Sequence, residues 1–295
     1  MNQLLLQSIA LGILQGGLYA LMAIGLSLVF GVLRVVNFAH GEFAMLGSFG
    51  AYFAASEMGF PPAAAMVAAA LVGGLAGLIT NMLVLAPIYG SKLDRKGEFT
   101  IVSTFVLSQL VIAAATVAFG TSYRKLPGLW NKNLSFFDMI FVSGNRIVAF
   151  AIAIGLVMLM FWIIYRTNLG RAWRALTQSP LGAAVVGIDV RRYANYAFVV
   201  SGALAGVAAS LLAPLLFVFP SSGVVTLSKA FIVVIIGGMG SIGGALVAGL
   251  LLGMIETFGT TWGASGYTDA YGFALMILVL LWRPQGLFGQ AGRAV

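Results

Sequence analysis

Asn37-Phe38-Ala39-His40-Gly41-Glu42 places an amide, the sequence's one histidine and a carboxylate within six residues, between apolar runs that carry no charge from Ile9 to Val32 and from Phe43 to Ser56. Two kinds of chemistry fit these residue types. An imidazole near a carboxylate titrates close to neutral pH and can relay protons. Alternatively, Asn37, His40 and Glu42 hydrogen-bond one another and the backbone that an interrupted helix leaves free. The cost of unpaired buried polar groups favours the second role. A nucleophile–base set or a metal-ligand cluster cannot be built from one histidine and no cysteine, so the sequence points away from an enzyme and from a metal site. A polar cluster at membrane depth is costly unless it faces protein or a water-filled path. Interruptions of this kind are where membrane transporters place their mechanism.

Two further segments carry signals. Gly238-x-Gly240-x-x-Gly243 matches the dinucleotide fingerprint in form. It lacks the βαβ context, and the nearest later acid, Glu256, falls well short of the usual spacing of about 20 residues. Glycines here suit a tight turn between helices, or backbone that lines a cavity. In the stretch 166–192, Ser179-Pro180 is a helix start, Gly187 a helix stop, and Asp189 a cap for the helix that follows. The sequence therefore predicts a short helix around Leu181–Val186 on the basic side. That helix is either a solvated connector or a docking element for a partner. No G-x-x-x-x-G-K-[ST] occurs, so if transport is ATP-driven, ATP is bound and hydrolysed by another chain and this one holds no cofactor.

The elements that must position these residues are helices in a bilayer. The chain of 295 residues is 61% apolar and only 8% charged, far from a soluble domain. Apolar runs at about 9–32, 41–57, 62–89, 98–119, 146–165, 194–219, 228–240, 243–260 and 268–282 predict an all-α polytopic membrane protein with eight or nine spans in one permease domain, 1–295. Met1-Asn2-Gln3 has no positive n-region, so the first run is expected to remain as a span. Glycines at GxxxG spacing (Gly12/Gly16, Gly73/Gly77, Gly202/Gly206 and Gly249/Gly253) suit close helix contacts. Nucleic acid is not the partner that the net charge of +8 implies, because the basic residues lie in loops between apolar runs, where lipid and topology explain them. Alternating the runs puts Arg34, Lys92, Arg95, Lys96, Arg166, Arg171, Arg174, Arg191, Arg192, Arg283 and Arg293 on one side, and Arg124, Lys125, Lys132, Arg146 and Lys229 on the other. Positive-inside asymmetry then predicts an outer N-terminus and an inner C-terminus. The breaks at Asn37–Glu42 and Gly237–Gly244 predict an inverted repeat of two broken helices. Its path would be lined by Asn37, His40, Gly41, Glu42, Gly237, Gly238, Gly240 and Ser241.

Five motifs in order carry a family resemblance. Val36–Glu42 with Met45-Leu46-Gly47 resembles the signature of LivH-type permeases of branched-chain amino acid ABC importers. Gly170-Arg171-Ala172-Trp173-Arg174-Ala175 followed by Ala183–Val190 resembles their ATPase-docking loop. Lys229-Ala230-Phe231, Gly237–Ala245 and Arg283–Gly289 resemble later family motifs. The resemblance implies an inner-membrane subunit that works with a LivM-like second permease, two cytoplasmic ATPase subunits and a periplasmic substrate-binding protein. It also implies ATPase coupling through Arg171, Arg174, Ser179, Pro180, Ala183, Ala184, Gly187 and Asp189. Many ABC permeases have an acid before the paired alanines; here Gly182 stands in that place. Related permeases carry urea, short amides or other amino acids. The reading of a different class is an ion-coupled secondary transporter with His40 and Glu42 as coupling groups.

Overall fold

The computed structural model describes residues 2–91, 94–130, 132–136 and 140–289; Lys92 and Arg293, counted above on the basic side, lie outside them. Helix α1 runs from Asn2 to Leu33 and ends at Arg34, whose φ of 55° lies in the left-handed region. Residues 35–39 then turn back along α1, and α2 (His40–Tyr52) begins inside the bundle. The His40 ring reaches the carbonyl of Met22, eleven residues before the end of α1 and therefore about 16 Å from that end. Helix α2 continues through a π-helical turn (Phe53–Glu57) to α3 (Pro62–Thr80), a second π turn (Asn81–Leu85), α4 (Ala86–Gly90) and α5 (Lys96–Phe119). Strands β1 (Asn133–Phe136) and β2 (Ile140–Ser143) form an antiparallel hairpin that an all-helical expectation misses. Gln7 on α1 tethers it by exchanging hydrogen bonds with the backbone of Phe141.

Helix α6 (Gly144–Arg166) returns to the basic end. There α7 (Asn168–Gln178) and α8 (Pro180–Val185) precede α9 (Val190–Leu212). Residues 213–221 fold back, and α10 (Ser222–Gly237) starts deep in the bundle. Helix α11 (Ile242–Trp262) and α12 (Thr268–Trp282) complete it. Among the described residues, seven helical segments are long and apolar enough to cross a membrane, and α2 and α10 are the short ones.

The four GxxxG pairs find one another. Gly12 and Gly16 on α1 face Gly249 and Gly253 on α11, where a Cβ at Gly16 would stand 2.6 Å from Leu250 Cα. Gly202 and Gly206 on α9 cross α3 at Gly73, Gly77 and Ala69, again backbone against backbone. The α1–α2–α3 and α9–α10–α11 segments thus share one plan in opposite directions, each a long helix, a fold-back, a short helix and a return. The long helix of each packs on the return helix of the other. The break that mirrors Asn37–Glu42 is therefore the fold-back before Ser222. The expected counterpart, Gly237–Gly244, is instead a helix–helix corner at the basic end. Lys229, counted above among the outer loop charges, is buried in α10 and ion-paired with Glu256 on α11.

The crossings set a test in which position decides the outcome. Gly202→Leu or Gly253→Leu should lower the thermal midpoint of the purified protein strongly, since overpacking costs about 1–3 kcal/mol. Gly155→Ala, on α6 with nothing within 4 Å of the new methyl group, should be neutral or slightly stabilising. Equal effects at the three positions would contradict the packing described.

Candidate functional site

The break is built by backbone geometry first. The Asn37 side chain folds onto its own chain, its Oδ1 accepting from the Ala39 N–H at 3.0 Å, while the His40 N–H reaches the Asn37 carbonyl at 3.4 Å. This compact turn lets α2 start without a long loop. Helix α5 lines the break with hydroxyls one turn apart. Thr104 accepts from the Phe38 N–H at 3.2 Å, and Ser108 donates to Glu42 Oε1 at 2.9 Å. These buried hydroxyls escaped the sequence reading, although Thr100, Thr104 and Ser108 recur every four residues in an otherwise apolar run.

His40 is fully engaged elsewhere. Its Nε2 lies 3.3 Å from the Met22 carbonyl, which can only accept, so Nε2 carries the proton. Nδ1 then accepts from the Ser201 hydroxyl at 3.3 Å. Asn37, His40 and Glu42 do not hydrogen-bond one another through their side chains as the sequence had suggested; each takes a separate partner. A His40–Glu42 proton relay has no hydrogen-bonded route among the described residues.

Gly41 meets Gly223 at the start of α10 so closely that a Cβ on either would strike the other's backbone. The starts of the two short helices therefore converge, with Glu42 between them. Gly237, Gly238, Gly240 and Ser241 are not brought here. Gly238 and Gly240 take φ of 94° and 84° in the corner, and Ser241 caps α11 by accepting from the Gly244 N–H at 3.0 Å. The chain after α12 covers the corner, as Leu287 and Phe288 donate their N–H groups to the carbonyls of Ile236 and Gly237. The corner borders the site through Met239. That side chain lines, with Leu26, Phe30, Val36, Phe38 and Phe231, an apolar pocket of about 270 Å³ between the break and the basic end.

At the basic end the predicted caps of α8 are present. Ser179 Oγ accepts from the Gly182 N–H at 3.0 Å, and Asp189 Oδ1 from the Arg192 N–H at 3.0 Å. Gly187, at φ 86°, ends α8 with the paired bonds Gly187 N–H to Ala184 and Ile188 N–H to Ala183. Ala183 is buried, whereas Ala184, Leu181, Val185 and Val186 point outward. Helix α7 was not anticipated as a separate element. It buries Ala172, Trp173 and Leu176, and the Trp173 indole N–H is bonded to the Tyr193 carbonyl at 3.0 Å. On its polar side Arg171 bonds to Asn168 and Arg174 to the Ile164 carbonyl, so both arginines serve the loop's own structure here. Arg34, at the entrance to the break, donates to the carbonyls of Thr177 and Gln178 at 3.2 and 3.1 Å.

His40 should therefore behave as a hydrogen-bonding post. His40→Ala should destabilise the purified protein by about 1–3 kcal/mol. His40→Gln keeps a donor and an acceptor without a titratable ring and should retain most of the stability and uptake. Loss of uptake in a well-folded His40→Gln protein would contradict this assignment.

The comparisons with known proteins agree with one another. The family described as the branched-chain amino acid transport system permease component matches residues 8–280. The chain is 32% identical to the high-affinity branched-chain amino acid transport system permease protein BraD of Pseudomonas aeruginosa, over 97% of this chain and 96% of that one. It is 31% identical to LivH of Escherichia coli over the same shares, and 28% identical to LivM of Escherichia coli over 92% of this chain and 67% of that protein. On the match to the family and the near full-length identity to its curated members, this chain belongs to the permease components of branched-chain amino acid transport systems.

Proposed function

We propose that the chain supplies one half of an alternating path for branched-chain amino acids, which passes the convergence of α2 and α10 at Asn37, His40, Gly41, Glu42 and Gly223. The observation that carries this reading is the pairing of two short helices whose starts meet deep inside the bundle, with a wholly apolar pocket beside them. Discontinuous helices offer dipole ends to a charged headgroup, and the pocket suits an aliphatic tail.

The other half of the path comes from a LivM-like permease. The match of this chain to both LivH and LivM supports a pair of similar folds. Apolar side chains on the outward faces of α5 and α12, such as Val102, Val106 and Leu110 and Ile277 and Leu281, are available to that partner and to lipid. A periplasmic binding protein delivers the substrate, and two ATPase subunits bind the ATP. With the basic end in the cytoplasm of a bacterial inner membrane, the N-terminus is periplasmic and the C-terminus cytoplasmic. Reassigning Lys229 to the interior strengthens that asymmetry, leaving only Arg124, Lys125, Lys132 and Arg146 on the outer side.

Helix α8 is the coupling element. At six residues it is too short to be stable alone, and its caps and the buried Ala183 hold it in place. Its outward apolar face is Leu181, Ala184, Val185 and Val186, with Ser179, Pro180, Gly187 and Asp189 fixing its ends. Arg34 carries a displacement of α8 to the path. It grips the last carbonyls of α7 immediately before Ser179, and residues 35–39 run from it to the site.

Three experiments test this reading. Single cysteines at Gln178 and Asn133, in a chain without native cysteine, should react with an impermeant thiol reagent from opposite sides of the membrane. Reaction of both from the outside would reverse the topology. Ala184→Trp should abolish bound ATPase and leucine uptake together while the membrane fold persists. Arg34→Gln should keep ATPase bound and hydrolysing but reduce uptake several-fold; full uptake would remove Arg34 from the coupling route.

A further inference from the structure

Two buried polar atoms in the break are left without a hydrogen-bond partner among the described residues, and they are of opposite kind. Glu42 is 1% exposed, and its Oε1 accepts from Ser108 while Oε2 accepts from no group. Asn37 is also 1% exposed, and its Oδ1 accepts from Ala39 while Nδ2 donates to no group. A carboxylate oxygen can only accept, and an amide NH2 can only donate. Leaving such groups unpaired in an apolar interior is costly. Here both orphans occur in one turn of chain, held to α5 through Thr104 and Ser108, which are four residues apart and thus stacked on one face.

The two helix starts add to this. Helix α2, of 13 residues, and α10, of 16 residues, both begin here, and neither Ala39 nor Ser221 caps its helix with a side chain. The positive dipole ends of both helices therefore lie in this region, and Glu42 Oε2 sits beside the start of α10. At the Gly41–Gly223 contact backbone meets backbone with no side chain between, and a Cβ at Gly223 would stand 2.7 Å from Glu42 Oε2.

An α-amino acid headgroup is the complement of this set. Its ammonium only donates and its carboxylate only accepts. We propose that Glu42 Oε2 receives the α-ammonium of the substrate, while Asn37 Nδ2, backed by the uncapped starts of α2 and α10, receives its α-carboxylate. The aliphatic side chain then lies toward the apolar pocket bordered by Val36, Phe38 and Phe231. This site rests on the reading of the break as the translocation path and adds what it recognises there: a zwitterion rather than an acid, an amine or an amide. The zwitterion is neutral overall and satisfies both orphans at once. A substrate lacking either charge leaves one unpaired, which is how a buried polar site rejects an analogue.

The test uses the assembled complex of both permeases and the ATPases in lipid nanodiscs, without the binding protein. Equilibrium binding of radiolabelled leucine is measured with two competitors, 4-methylpentanoic acid, which is leucine without its ammonium, and 3-methylbutylamine, which is leucine without its carboxylate. The wild-type complex should prefer leucine to both. Glu42→Gln should weaken leucine binding roughly ten- to a hundred-fold, as for loss of a charged hydrogen bond, and shrink the preference over the acid. Asn37→Ala should shrink the preference over the amine. Wild-type binding in both variants, or a parallel fall for leucine and both analogues, would overturn the headgroup site while leaving the path reading intact. A wild-type complex that takes up no leucine when the binding protein is supplied would overturn the path reading itself, and the site with it.

Discussion

Contact between helix backbones is the constraint on which this structure depends. Lipid offers apolar helices no reason to associate through apolar side chains alone, so close packing has to supply the attraction. The glycines of α1 and α11, and those of α9 and α3, remove the side chains that would hold these helices apart. Because each long helix packs on the return helix of the opposite repeat, the two crossings knit the repeats together. The short helices α2 and α10 are enclosed between them. Their convergence at Gly41 and Gly223 is a third contact of the same kind, made at the place where the chain is least regular.

Several irregular ends in the fold are repaired. The end of α10 is covered by Leu287 and Phe288, α11 starts on Ser241, α8 is closed by Ser179 and Gly187, and α9 starts on Asp189. The starts of α2 and α10 are not capped by a side chain, and they meet beside the unpaired Glu42 Oε2. Structural economy is thus suspended where the two short helices meet, and a departure from local rules there points to function.

The sequence revealed what is local and concealed what depends on a partner. Asn37, His40 and Glu42 were legible because polar residues between uncharged runs demand an explanation, and the caps of α8 were legible because serine, proline, glycine and aspartate act within a few residues. Each GxxxG pair was visible, but which pairs meet is a tertiary fact. The second break was misplaced because Gly237–Gly244 is rich in glycine, while Pro220-Ser221-Ser222-Gly223 resembles an ordinary loop. A turn at the end of a helix and a turn inside the bundle share one composition. Depth distinguishes them, and depth comes from contacts such as that of Gly223 with Gly41. Lys229 was misplaced for the same reason, since nothing beside it in the chain announces Glu256.

That lysine bears on how the protein is made. Lys229 in α10 is neutralised by Glu256 from α11, which also accepts from the Tyr19 hydroxyl at 2.8 Å, and it reaches Asp269 of α12 at 2.7 Å. A lone lysine at the centre of a helix costs about 2.5–3.5 kcal/mol to pass from the translocon into lipid, and α10 is too short to offset that with length. The chain emerges with α10 first and its counter-charge some 27 residues later. Helices α10 and α11 are therefore an energetic unit in the bilayer: the lysine of the first is neutralised only when the second lies beside it.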